Sequence, residues 1–146
     1  MLEHAQRAAG HGAKMTAYVA VLAALVVAAW EAHATTGLWS TFGEIAVPRV
    51  AIAVFGGAAF GALVFGFIGF CAALLGVKRV GWTFTYALFG AAQFVFAAHV
   101  MRNSIAASAT MFAGPAGFGA AITLAALTGA VAGALVARGL KAGPEA

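Results

Sequence analysis

Long apolar stretches separated by short polar or charged segments dominate this sequence, and four of them are long enough to cross a membrane. Crossing a bilayer core of about 30 Å as an α-helix takes roughly 20 apolar residues. The pattern predicts helices over about 15–33, 49–76, 80–101 and 116–137. No stretch shows the alternating polar and apolar residues of a membrane β-barrel strand. We therefore expect an all-α integral membrane protein, with residues 1–146 forming one domain of four transmembrane helices.

Composition supports a membrane location and argues against a nucleic-acid partner. Hydrophobic residues make up 64% of the chain and charged residues 8%, whereas about a quarter of the residues of a soluble domain are charged. The net charge of +4 would suggest nucleic-acid binding in a soluble protein. Here the cations lie mostly at the ends of apolar stretches, where they orient helices in a bilayer. The expected partner is therefore lipid, and no nucleic acid is expected.

The distribution of Lys and Arg predicts the orientation of the chain. Six of the eight lie near the termini or between the second and third spans: Arg7, Lys14, Lys78, Arg79, Arg138 and Lys141. The other two connections contain only Arg49 and Arg102. The positive-inside rule then places both termini and the Lys78-Arg79 turn in the cytoplasm, with 34–48 and 102–115 outside. We predict a multi-pass protein of the inner (cytoplasmic) membrane, with two helical hairpins forming an up-down bundle.

The first span permits a second interpretation. Arg7 and Lys14, an apolar core and the sequence Ala-His-Ala at 32–34 resemble a signal peptide with its cleavage site. We expect a retained helix, and its removal would leave three spans in an unchanged orientation. Residues 1–14 are expected to be a flexible or surface-lying segment on the cytoplasmic side.

The two predicted hairpins resemble each other and raise the possibility of a tandem parallel repeat. In each, an outward helix ends in Ala-His, and a loop, a proline and a glycine-rich helix follow. His33 and His99 are 66 residues apart, and Pro48 and Pro115 are 67 apart. A true duplication would relate the halves by an axis along the membrane normal. Alanine-rich segments also align by chance, so both interpretations stay open.

A group of polar residues lies where the first and third spans end on the outer side. These residues are Glu31, His33, His99 and Arg102, with Glu44 within reach from the loop. In a four-helix bundle the two span ends lie at the same depth, so the four side chains can converge on one outer site.

Several kinds of chemistry fit such an outer site. Two imidazoles and a carboxylate suit a divalent transition metal, two facing histidines suit a b-type haem, and histidine beside a carboxylate can relay protons. Polar residues at helix ends also reach interfacial water at little cost, and simple anchoring is the favoured interpretation. His33 and His99 are therefore weak metal candidates, and no cofactor is assigned.

Two further patterns concern the membrane interior. Thr83, Tyr86 and Gln93 are spaced to share one face of the third span, which favours hydrogen bonding to another helix, with a solute path or quinone contact as alternatives. Small residues predict close helix contacts of the glycine-zipper type, because missing side chains let backbones approach. The glycines concerned are Gly57, Gly61, Gly66, Gly129 and Gly133.

These features favour a non-enzymatic accessory or packing subunit, in a homo-oligomer or with other membrane subunits. The chain contains no Asp, which excludes the usual Ser-His-Asp triad, and it has no HExxH or phosphate-binding glycine motif. One alternative is a small transporter or channel whose outer mouth is formed by Glu31, His33 and His99. Another is a haem-, metal- or quinone-binding subunit of an electron-transfer complex.

Overall fold

Five α-helices make up most of the chain in the computed structural model, which describes residues 1–36 and 39–142. The helices are α1 (Leu2–Glu31), α2 (Phe42–Leu74), α3 (Trp82–Val100), α4 (Arg102–Ser108) and α5 (Gly114–Ala142). A π-helical turn, Ala32–Thr36, extends α1, and 3₁₀ turns occur at Trp39–Thr41, Arg79–Gly81 and Thr110–Phe112. None of the described residues forms a strand, so the predicted all-α class is confirmed for this part of the chain.

Four helical segments are long and apolar enough to cross a membrane. They are Leu2–Ala34, Trp39–Leu74, Arg79–Val100 and Gly114–Ala142. The prediction of four spans is confirmed, although three of the helices extend well beyond the predicted bounds. These segments indicate a multi-pass membrane protein.

The amino-terminal segment differs from the expectation. Residues 1–14 were expected to be flexible or surface-lying, but α1 begins at Leu2 and Ala8 has no exposed surface. The physical reason is packing: Ala8, Gly12 and Thr16 are small and lie against α2, so a segment with little hydrophobicity of its own is held by close contact.

The two predicted outer loops are largely helical. Within 34–48, α2 already begins at Phe42 and contains Pro48 as its seventh residue. Proline has no N–H group to donate to the Glu44 carbonyl four residues earlier, so one bond of the helix is missing there. Residues 37–38 of that predicted loop, like 143–146 at the carboxyl end, lie outside the described residues. Within 102–115, α4 and a 3₁₀ turn occupy most of the connection.

Helices α1 and α2 form the most extensive contact in the structure. A Cβ placed on Gly57 would meet Ala20 at 3.1 Å, and one on Gly66 would meet Ala9 at 3.1 Å. Between these positions, Gly61 lies directly against Gly12 and Thr16. Along this contact, later residues of α2 therefore lie against earlier residues of α1.

Helices α3 and α5 form the second extensive contact, and α5 also packs along α1. Gly129 of α5 lies against the Gly90 backbone, and Gly133 lies against the backbone of Tyr86. Helices α2 and α3 contact each other much less than either of these pairs. The two halves of the chain are therefore joined mainly through α1 and α5.

A continuous apolar core fills the centre of the four long helices. Its fully buried large side chains include Phe65 of α2, Tyr86 of α3 and Val136 of α5. The rings of Phe65 and Tyr86 stack with centroids 6.3 Å apart. Aromatic side chains therefore occupy the space between the glycine-lined contacts.

A tight turn connects α2 to α3. The N–H of Val77 donates to the carbonyl of Ala72 at 2.9 Å, and that of Gly76 donates to Ala73 at 3.3 Å. Gly76 has a φ of +62°, a left-handed conformation that glycine adopts at little cost. Together these features form a Schellman motif, which ends α2 and reverses the chain within a few residues.

Candidate functional site

Glu31 and Arg49 form an ion pair at the end of the bundle where α1 finishes, which we call the distal end. Their side chains are 14% and 24% exposed, respectively. Arg49 also donates through Nη2 to the Ser108 carbonyl at 2.8 Å, and the Thr110 N–H donates to Glu31 Oε1 at 3.3 Å. The pair thus connects α1, α2 and the segment between α4 and α5.

A small apolar cluster lies beside this ion pair. It consists of the buried side chains of Val27, Ala109, Phe112 and Ala121. The segment after α4 therefore covers the distal end with apolar groups while its backbone bonds to the Glu31–Arg49 pair. Because water is partly excluded from the pair, its hydrogen bonds contribute more than those of an exposed surface pair.

His33 lies apart from the carboxylate that precedes it by two residues. It is exposed, and its ring centroid is 6.3 Å from that of Trp39. Trp39 in turn contacts Phe42, with ring centroids 6.2 Å apart. Glu44 is also exposed, in the first turn of α2. These contacts fit the anchoring role expected for aromatic and polar groups at a membrane surface.

His99 and Arg102 both contact Phe118 of α5. The His99 ring centroid is 6.0 Å from that of Phe118, and the Arg102 guanidinium carbon lies 4.7 Å from the same ring centre. A shallow pocket of about 260 Å³ is lined in part by Arg102, Asn103 and Phe118. The chain thus forms a cation–π contact just beyond the end of α3.

The structure consequently divides the four predicted outer residues among three sets of contacts. Glu31 contacts Arg49, His33 contacts Trp39, and His99 and Arg102 share Phe118. Among residues 1–36 and 39–142, no three His, Cys or Glu side chains come together closely enough to hold a metal ion. This arrangement supports anchoring of the helix ends more directly than metal ligation.

The predicted polar face of α3 contains three different environments. Tyr86 is fully buried and Gln93 is half-buried. Thr83 is exposed and accepts a hydrogen bond from Lys141 Nζ at 2.8 Å. Gln93 lines a groove of about 170 Å³ between α2 and α3, together with Cys71 and Thr85.

A second polar cluster lies at the opposite end of the bundle, which we call the terminal end. His4 Nε2 lies 3.0 Å from the Tyr86 hydroxyl, and the His4 ring centroid is 4.7 Å from that of Trp82. Arg79 donates to the Lys141 carbonyl, which joins the start of α3 to the end of α5. The beginning of α1 is therefore held against α3 by a polar contact with a buried phenol.

Sequence reasoning missed Arg49 and His4 as contributors to these clusters. Arg49 entered only as a cation in a predicted outer connection, although the carboxylates of Glu31 and Glu44 lie at or in the same predicted connection. His4 was assigned to a flexible segment. The sequence signal for Arg49 was charge balance, whereas the helical spacing of Ala8, Gly12 and Thr16 was the signal that would have extended α1 toward His4.

Comparison with protein-family models, with curated proteins and with solved structures finds no match. Functional inference for this chain therefore rests on its own residues and contacts.

Proposed function

We propose that this chain is a non-enzymatic accessory or packing subunit of the inner membrane, acting within a homo-oligomer or a larger membrane complex. The proposal rests mainly on one observation: polar side chains at both ends of the bundle contact other helices of the same chain. The Glu31–Arg49 pair and the His4–Tyr86 contact connect the chain's own helices. These four polar side chains are thus engaged in holding the bundle together.

The proposal includes an up-down bundle of two hairpins. The order of the contacts supports this arrangement. Later residues of α2 contact earlier residues of α1, and later residues of α5 contact earlier residues of α3, as in antiparallel helix pairs. A tandem repeat stays a prediction, since Pro48 lies well inside α2 whereas Pro115 is the second residue of α5.

Orientation with both termini in the cytoplasm is also part of the proposal. Arg7, Arg79 and Lys141 lie toward the terminal end, while Glu31 and Arg49 neutralise each other at the distal end. Positive charge is therefore concentrated at one end, which the positive-inside rule assigns to the cytoplasm.

The alternative of a transporter or channel would require a path through the bundle or between copies. The fully buried rings of Phe65 and Tyr86 occupy the centre of a single bundle. A path would therefore lie between copies, or between the two hairpins along the groove that Gln93 lines.

Purification in mild detergent tests the proposed function. We expect either a defined homo-oligomer or a partner protein present in fixed stoichiometry. We expect neither a haem absorption band in the visible spectrum nor bound metal. A strictly monomeric protein with no partner would contradict the subunit hypothesis. A haem spectrum or stoichiometric metal would instead support the electron-transfer alternative.

A further inference from the structure

Helix α3 is the least covered of the four long helices. In its most apolar stretch only 11% of the residues are buried, compared with 39% in α5. Its weak contact with α2 leaves the groove that contains Gln93 open at the side. One side of α3 is therefore exposed, while its other side packs against α5.

One exposed stripe on α3 has the spacing of a helix–helix interface. Phe89, Gln93, Phe96 and Val100 follow each other at intervals of four, three and four, and we call them the Gln93 stripe. The three apolar members are 53%, 66% and 67% exposed, respectively. Intervals of three and four keep a stripe facing one neighbouring helix along its length.

Gln93 distinguishes this stripe from an ordinary lipid-facing surface. It lies roughly 16 Å along α3 from Trp82 at a rise of 1.5 Å per residue, which places it close to the middle of a bilayer core of about 30 Å. None of the hydrogen bonds among the described residues involves its carboxamide. An amide facing hydrocarbon without a partner is costly.

We propose that the Gln93 stripe binds the same stripe of a second copy of this chain, with the two Gln93 carboxamides hydrogen-bonded to each other. A two-fold axis along the membrane normal places identical residues of two copies at the same depth. The carboxamide is self-complementary because it carries both donors and an acceptor. Each Gln93 carboxamide would then have a hydrogen-bond partner in the other copy.

The neighbouring residues fit this arrangement. Ala92 is exposed beside the stripe and its small side chain permits close approach of two helices. Phe89 and Phe96 lie one turn on either side of Gln93 and would exclude lipid from the amide pair. A single polar residue within an apolar stripe sets the register of such contacts.

This inference rests on the proposed function, since it names the partner of a packing subunit. The test uses the full chain in membrane vesicles, with Cys71→Ser to remove the native thiol. Phe96→Cys is expected to form an intermolecular disulfide under mild oxidation. Leu88→Cys is the matched control, because Leu88 is 50% exposed on the same helix but lies off the stripe. It is expected to cross-link at least tenfold less.

A second measurement addresses Gln93 itself. Gln93→Leu keeps the size of the side chain and removes the amide, so the dimer dissociation constant should rise about 3- to 30-fold, the equivalent of about 0.6–2 kcal/mol. Gln93→Asn keeps the amide and should retain part of the affinity. Equal cross-linking at positions 88 and 96, or an unchanged constant in Gln93→Leu, would overturn the inference.

Other outcomes separate this inference from the proposed function. Cross-linking of Phe96→Cys to a different protein in fixed stoichiometry would overturn the homodimer and leave the subunit hypothesis standing. Retention of a lipid or other small apolar molecule that Gln93→Leu releases would also overturn the homodimer. A monomer without any partner would overturn both.

Discussion

The carboxylate of Glu31 at the end of α1 pairs with the guanidinium of Arg49 in α2, and both groups also bond to the backbone between α4 and α5. Two charges thereby join three parts of the chain at one end of the bundle. Removing one member of such a pair lowers stability more than the pair itself adds. The other charge is still partly shielded from water but has lost the opposite charge that offset this cost.

Arg49→Met is therefore expected to destabilise the protein, by about 1.5–3 kcal/mol, the range for hydrogen bonds to charged groups. The substitution removes the guanidinium that pairs with the Glu31 carboxylate. The double variant Glu31→Leu with Arg49→Met should be less destabilised than the sum of the single variants, because the two residues act on one interaction. Thermal unfolding in detergent measures both effects.

Glu44→Gln is the control for this prediction. Glu44 is a carboxylate of the same predicted connection but is exposed in the first turn of α2. It should lose no more than about 1 kcal/mol, the usual upper value for an exposed charge at a helix end. Additive effects of the Glu31 and Arg49 substitutions would show that the pair does not hold the distal end together.

The glycine contact between α1 and α2 supports a second prediction. A Cβ on Gly61 would collide with the Gly12 backbone and the Thr16 side chain, whereas one on Gly56 would meet nothing within 4 Å. Gly61→Ala should lower stability by about 1–3 kcal/mol through overpacking. Gly56→Ala should leave stability unchanged or raise it by up to about 1 kcal/mol, because alanine favours helix.

The two glycine variants form a matched pair, since they introduce the same atom into the same helix. Thermal unfolding should separate them, and gel filtration should show the same assembly for both because the Gly61 contact lies within one chain. Equal melting temperatures would mean that α1 and α2 adjust to the added methyl group without loss of packing.

The number and class of the helices followed directly from the sequence, because a transmembrane helix depends mainly on the length of an apolar run. The residues at which the helices begin and end could not be predicted from apolar length alone. Residues 1–14 combine charged, polar and small side chains, and hydropathy alone does not reveal that Ala8 and Gly12 lie against α2. Close packing of small residues leaves little trace in hydropathy.

The candidate site was predicted less completely than the fold. Glu31, His33, His99 and Arg102 were grouped because helix ends at equal depth can share a site. Depth does not determine which way a side chain points, and the Glu31–Arg49 pair depends on the rotation of two helices about their axes. The spacing of Glu31 and Arg49 within their own helices does not show that their side chains face each other.

Cysteine labelling in intact cells tests the proposed orientation. In a Cys71→Ala background, Ser40→Cys and Ser104→Cys should react with a membrane-impermeant reagent, because both positions are exposed on the side expected to lie outside. Gly81→Cys should react only after the membrane is permeabilised. The reverse pattern would invert the orientation and place the Glu31–Arg49 pair on the cytoplasmic side.

The His4–Tyr86 contact leads to the last prediction. Tyr86→Phe removes the hydroxyl that lies 3.0 Å from His4 Nε2 and should cost about 0.5–1.5 kcal/mol. His4→Ala should cost at least as much, since it also loses the ring contact with Trp82. Because His4→Ala has already removed the partner of the Tyr86 hydroxyl, adding Tyr86→Phe to it should cost little more. The start of α1 should then detach from α3 more often, so limited trypsin treatment should cleave faster after Arg7 in all three variants.

Tyr18→Phe is the control, because Tyr18 is 58% exposed and its loss of a hydroxyl should change neither stability nor cleavage. Additive stability losses together with an unchanged cleavage rate would show that other contacts hold the first turns of α1 against α3.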